Sequence, residues 1–136
     1  METKQVGQTQ TSGFQVGVRR TFPLAVEEAW ALITSSVGTA IWLGEGASVT
    51  VEKGESFQSD EGISGEFTTV NPLVNIRLTW KRGNWDKPSI LQIRTISNGE
   101  HETTISFHQE KLADPSIREE MKAHWEEVLQ RLMAMN

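Results

Sequence analysis

Between residues 48 and 110 the chain alternates short, partly apolar segments with tight turns, and this pattern constrains the fold more than any other feature. The turn signals are "KGE", "DEG", "NP", "RGNWDKP" and "NGE". They separate the segments "SVTVE" (48–52), "SFQS" (56–59), "ISGEFTTV" (63–70), "VNIRLTWKR" (74–82), "SILQIRTIS" (89–97) and "ETTISFHQE" (102–110). Because a crossover between parallel strands needs about a dozen residues or more, these segments predict an antiparallel meander.

Alternation within the later segments predicts that one face of this sheet is apolar. Ile76, Leu78 and Trp80 share one face of their strand. In the last strand, Ile105 and Phe107 do the same. An apolar sheet face needs a cover, so at least one further element must pack on it.

The segments before and after the meander supply that cover. Residues 14–22 alternate as a first strand, and "AVEEAWALIT" (25–34) and "GTAIWLG" (38–44) predict two short helices. From "DPSIREE" onward the apolar residues recur at steps of four and three, which predicts a long amphipathic helix on the sheet: Ile117, Met121, Trp125, Val128 and Leu132. Its start stays open between an Asp114 cap followed by Pro115 and a capping box of Ser116 with Glu119.

Length and composition exclude several classes of protein. A chain of 136 residues fits one domain. We expect a flexible polar tail at 1–12 and a single domain at 13–136. The net charge of −5 argues against nucleic-acid binding, and no apolar run is long enough to span a membrane. The absence of cysteine excludes a thiolate nucleophile, and the polar start lacks the apolar region of a secretory signal, so we expect a cytoplasmic protein.

Four stretches together resemble a known superfamily. "RTFPLAVEEAWALIT", "IWLG", "GEFTTVNPLVNIRLTW" and "HWEEVLQRLMAM" are similar, in order and spacing, to landmarks of the SRPBCC (START-like) superfamily, in particular bacterial relatives of the C-terminal domain of the activator of the Hsp90 ATPase. The resemblance runs from about Phe14 to Met135. It departs at Leu24 and Ala25, where small polar residues are frequent, and at His124, where a glycine often precedes the tryptophan. It implies an α+β helix-grip fold: a curved antiparallel sheet around a long C-terminal helix, with two short helices after the first strand.

The resemblance also implies a space between the sheet and the last helix, which in many relatives holds an apolar small molecule. The candidate ligand-binding residues are Trp42, Phe67, Leu78, Trp80, Phe107 and Trp125. The residues alone leave another interpretation open, in which these large side chains fill an ordinary core.

Arg20 and Trp85 are two further candidates. Arg20 shares the parity of Val16 and Val18, so it either points inward, where it would meet an anionic ligand, or snorkels from the strand end. Trp85 lies in the charged turn "RGNWDKP". We expect it to line a cavity mouth or to contact a partner and not to belong to the core.

The histidines do not predict catalysis or metal binding. His101 and His108 lie an odd number of residues apart, which places them on opposite faces of a regular strand. His124 has metal-ligand spacing to Glu120 and Glu127, but acidic neighbours favour a solvated helix face. We therefore predict no catalytic residue, metal or cofactor.

Three functional hypotheses follow, in this order of preference. The first is a non-catalytic module that encloses an apolar or amphipathic small molecule between the sheet and the C-terminal helix. The second is an Hsp90-associated or stress-related protein-interaction module, with a chaperone or a second copy as partner. The third is a cyclase-like enzyme of the same superfamily, which ranks last because the inward positions offer no paired carboxylates. Ligand identity and oligomeric state stay open.

Overall fold

The computed structural model describes residues 13–47 and 49–135. It contains the predicted α+β arrangement of one strand, two short helices, a strand meander and a long helix. The elements are β1 (Phe14–Phe22), α1 (Val26–Thr34), α2 (Ser36–Trp42), β2 (Ser56–Gln58), β3 (Ser64–Asn71), β4 (Asn75–Trp80), β5 (Ser89–Ser97), β6 (Thr103–Leu112) and α3 (Pro115–Ala134). The helix-grip prediction is confirmed. The predicted tail, 1–12, lies outside the described residues, and the single-domain assignment stays a prediction.

The strands form one antiparallel sheet in the order β1-β6-β5-β4-β3-β2. Apolar side chains of neighbouring strands lie opposite each other, as in the pairs Phe67 with Leu78 and Ile93 with Phe107. Register shifts interrupt the pairing of β1 with β6 and of β3 with β4. Such bulges bend a strand, which lets the sheet curve around a helix.

One predicted strand is wrong. The part of "SVTVE" that the structure describes, 49–52, is irregular. Its backbone bonds are local: the Glu52 N–H donates to the Thr50 carbonyl at 2.9 Å, and the Glu55 N–H donates to the Glu52 carbonyl at 3.1 Å. Val49 and Val51 are half-buried and pack against the core from this loop, so their alternation reflects burial without strand pairing.

The structure decides between the two starts of α3. The Asp114 carboxylate accepts a hydrogen bond from the Ile117 N–H at 2.8 Å, and Pro115 is the first helical residue. Proline fits this position because its missing N–H would have had no partner within the helix.

Helix α3 packs against β1 and β6 and covers the apolar face of the sheet. Its buried residues are Met121, Trp125, Val128, Leu129 and Leu132. The predicted stripe is thus confirmed except at Ile117, which is half-buried, and Leu129 joins it. The candidate site lies where this stripe meets β4 and α2.

Candidate functional site

The six large side chains predicted to contact a ligand are buried together between the sheet and the helices. None is more than 1% exposed. The Phe107 and Trp125 rings stack with centroids 5.1 Å apart, and the Trp80 ring meets the Trp125 ring edge-on at 5.4 Å. Trp42 meets the Phe67 ring edge-on at 6.3 Å. These rings pack against one another around Trp125, and a contact between them and a ligand stays a prediction.

A chain of buried hydrogen bonds crosses this core. The Trp125 indole N–H donates to Gln109 Oε1 at 2.7 Å, and Gln109 Nε2 donates to Ser89 Oγ at 2.8 Å. The Ser89 hydroxyl in turn donates to the Trp80 carbonyl at 2.6 Å. The sequence analysis missed Gln109, although it shares the parity of Phe107 and lies on the same inward face of β6.

Two polar atoms beside these hydrogen bonds have no hydrogen-bond partner among the described residues. They are Nε1 of Trp80 and Nε2 of His124, and both are buried. The two rings lie 6.0 Å apart. A buried polar atom without a partner costs about 1 to 3 kcal/mol, so a polar group that reached His124 Nε2 would offset that cost.

His124 corrects the sequence interpretation. It was expected on a solvated face, but its ring packs edge-on against Trp125 at 4.6 Å. Burial, with smaller contributions from the positive charges of Arg82 and Arg131, lowers the pKa of His124 to about 4, and the charge of Glu120 acts in the opposite direction. The ring is therefore neutral at pH 7, and its Nε2 accepts or donates a hydrogen bond according to its tautomer.

A small polar pocket opens beside His124. It has a volume of about 130 Å³ and lies between the C-terminal end of α2, the residues preceding β3 and helix α3. Arg82 is held there by a 2.7 Å ion pair with Glu120, and its guanidinium lies 5.7 Å from the centroid of the Trp80 ring. The lining residues are Ala40, Ile41, Trp42, Gly44, Glu45, Glu61, Ile63, Arg82, His124 and Arg131.

An open groove of about 480 Å³ adjoins this pocket. Its lining residues are Ser36, Val37, Ala40, Ile41, Glu45, Arg131 and Met135. The groove and the pocket share Ala40, Ile41, Glu45 and Arg131. Val37 is 57% exposed and Met135 41%, which gives the groove an apolar surface open to solvent. We call the groove and the pocket together the α2–α3 cleft.

Arg20 and Trp85 lie away from the α2–α3 cleft. Arg20 is exposed and lines a surface groove with Lys122 and Glu126 of α3, and its contact with an anionic ligand stays a prediction. Trp85 is half-buried and meets Trp80 edge-on at 5.4 Å, so the expectation that it takes no part in the core is wrong. Its turn folds back over the end of β4, and Trp85 also lines a surface depression of about 310 Å³.

Several kinds of site are missing from the part of the chain that the structure describes. No group of three or more acidic or histidine side chains there could hold a metal ion. His101 is exposed in the turn before β6, whereas the His108 ring pairs with Gln15 Oε1 at 3.0 Å. None of the helices in this part is both long and apolar enough to cross a membrane.

A family model decides the relationship that this fold suggests. The model described as "Activator of Hsp90 ATPase homolog 1-like protein" matches residues 23–135, which is most of the chain. The chain belongs to this family. The resemblance seen in the sequence is confirmed, and the cleft described above is a feature of an AHSA1-like domain.

Solved structures share the fold of this AHSA1-like chain at low identity. CalU16 from Micromonospora echinospora matches with a TM-score of 0.79 and 17% identity, over 92% of this chain and 76% of CalU16. An HSP90 activator from Plasmodium falciparum matches with a TM-score of 0.64 and 23% identity, over 74% of each chain. The Aha1 dimer from Colwellia psychrerythraea matches with a TM-score of 0.73 and 14% identity, over 88% of this chain and 92% of that chain. The search of curated proteins gave no match.

Proposed function

We propose that this AHSA1-like domain is a non-catalytic binding module for an amphipathic small molecule, which enters between the sheet and α3 through the α2–α3 cleft. The observation that carries the proposal is Nε2 of His124, a buried atom that has no hydrogen-bond partner among the described residues and belongs to a side chain that lines the pocket. His124 lines the pocket, and Trp80 packs behind it. A ligand hydroxyl or carbonyl at this point would offset a desolvation cost that the unliganded protein bears.

The dimensions of the cleft support a ligand with a small polar head and an apolar body. The pocket holds about 130 Å³, whereas sites that enclose a drug-sized molecule commonly have about 300 to 1,000 Å³. The pocket alone therefore suits a head group, and the groove of about 480 Å³ would take the apolar body. Trp42 forms one wall of the pocket. The other five predicted contact residues are the packed core behind it, and a ligand that reached them would have to displace rings.

A titration with a fluorescent fatty-acid analogue tests the proposal. Two exposed valines provide a matched pair of variants: Val37, 57% exposed, lines the groove, and Val74, 52% exposed, lies in the turn between β3 and β4. We expect saturable binding that Val37→Ser weakens and Val74→Ser leaves unchanged. Absence of binding, or equal weakening by both changes, would contradict the proposal. Native mass spectrometry of protein purified from its own host would also report any retained ligand and the oligomeric state.

A chaperone-associated role is the second candidate. The description of the matching family supports it, and the depression beside Trp85 offers an accessible surface for a protein partner. Capture of the host's Hsp90 by the wild-type protein, and loss of capture with Trp85→Ala, would favour this role over ligand binding. Unchanged capture by the variant would show that the Trp85 surface does not take part in Hsp90 binding.

A further inference from the structure

We infer that the α2–α3 cleft selects a small amphipathic anion, with a carboxylate held by Arg131 and Arg82 and an apolar chain lying along Val37 and Met135. The inference rests on the proposed function and adds the charge of the ligand and the side chains that recognise it. The proposed head group is a monoanion, because the pocket has room for one small head group and two guanidinium groups border it.

Two positive side chains border the inner end of the pocket. Two positive groups, Arg82 and Arg131, act on the His124 ring from different elements, one following β4 and one from α3. Burial is the largest cause of the lowered pKa of His124; the two arginines act in the same direction, and the smallest contribution, from Glu120, opposes them. Both guanidinium groups line the pocket, so an anion bound beside His124 would have two positive groups within reach of its lining, although the chain as a whole carries a net charge of −5.

The two arginines have hydrogen-bond donors to spare. Arg82 is fixed by the bond that its Nη1 donates to Glu120, while a guanidinium carries further N–H groups that can reach an oxygen ligand. Arg131 forms no salt bridge with any of the described residues. It lines both the groove and the pocket, so it lies where the head and the chain of an amphipathic molecule would join.

Two carboxylates also line the pocket and limit the strength of this selection. Glu45, Glu61 and Arg131 are exposed, so water and salt screen all three charges, whereas Arg82 and His124 are half-buried. An anion is therefore expected to bind on the α3 side of the pocket, next to His124. The carboxylate of the ligand would therefore contact Arg131 and Arg82, and not the side of the pocket formed by Glu45 and Glu61.

Isothermal titration calorimetry with decanoate and 1-decanol tests the inference, because the two probes share a chain and differ in head-group charge. A charge-assisted hydrogen bond in a partly buried site corresponds to about tenfold in affinity, so we expect the wild type to bind decanoate about tenfold more tightly than the alcohol. Arg131→Gln should abolish this preference, because it should weaken the binding of decanoate more than the binding of decanol. Arg20→Gln is the matched control, since Arg20 is an exposed arginine that lines a different groove beside α3.

The outcomes separate this inference from the proposed function. Binding of both probes with equal affinity would overturn the inference and leave the proposed function standing. A preference for decanoate that survives Arg131→Gln, or that Arg20→Gln also removes, would overturn the assignment of the head-group site. If neither probe binds, the proposed function fails and the inference fails with it.

Discussion

The buried hydrogen-bond chain through Gln109 gives a prediction that tests the structure of the core directly. Gln109 is fully buried and makes two hydrogen bonds, one from Trp125 at 2.7 Å and one to Ser89 at 2.8 Å. Gln109→Met keeps a similar volume but removes both partners. The Trp125 N–H is then buried without an acceptor, whereas Ser89 keeps its bond to the Trp80 carbonyl. We expect a loss of about 2 to 3 kcal/mol in the free energy of unfolding, most of it from the indole N–H.

A double-mutant cycle isolates the Gln109–Trp125 bond. Trp125→Phe alone should cost about 2 to 4 kcal/mol, because it leaves the Gln109 oxygen unpaired and opens space beside the stacked Phe107 ring. In the double variant neither partner is left unpaired. Its loss should therefore be smaller than the sum of the two single losses by about 1 to 2 kcal/mol.

Urea unfolding, followed by circular dichroism, provides the measurement. With a slope of about 2 kcal/mol per molar urea, a loss of about 2 kcal/mol moves the midpoint by about 1 M. The slope itself should stay constant across the four proteins. Additive losses, or a Gln109→Met midpoint within error of the wild type, would refute the argument that this bond holds the core.

Three further predictions follow from single features of the fold. The pKa of His124 is lowered to about 4, so the unfolded chain takes up the proton first as the pH falls. Acidification from about pH 6.5 to 4 should therefore lower the free energy of unfolding of the wild type by up to about 1.4 kcal/mol per pH unit, a loss that His124→Gln should not show. Urea midpoints of the two proteins that change with pH in parallel would contradict this. Gly65→Ala places a methyl group against the Thr79 carbonyl and should lower stability by about 1 to 3 kcal/mol in thermal melts, while Gly17→Ala, whose methyl meets only ordinary contacts, should have little effect. Deleting the chain from Asp114 onward removes the cover of the sheet, and calorimetry should then show no cooperative transition; a sharp melt would be the contrary result.

The sequence by itself determined the architecture, because periodicity is a local property that reports which face of an element is buried. The alternation of Ile76, Leu78 and Trp80 and the helical spacing of Met121 and Trp125 each encode one buried face, and the short turns leave only antiparallel pairing. Val49 and Val51 show the limit of such patterns, since alternation without a partner strand produced a half-buried loop.

The tertiary structure alone decided where the polar groups of the candidate site meet. Arg82 follows β4, Arg131 lies on the last turns of α3, and His124 is one residue from the apolar stripe, so no local pattern relates them. Their convergence depends on how α3 crosses the sheet, which places the edge of the stripe against the Trp80 ring. Because this position is largely buried, His124 Nε2 has no hydrogen-bond partner among the described residues, and the pKa of the ring is lowered. The sequence predicts that His124 is solvated beside glutamates. In the structure it forms the inner end of the pocket, because its environment comes from elements that are distant along the chain.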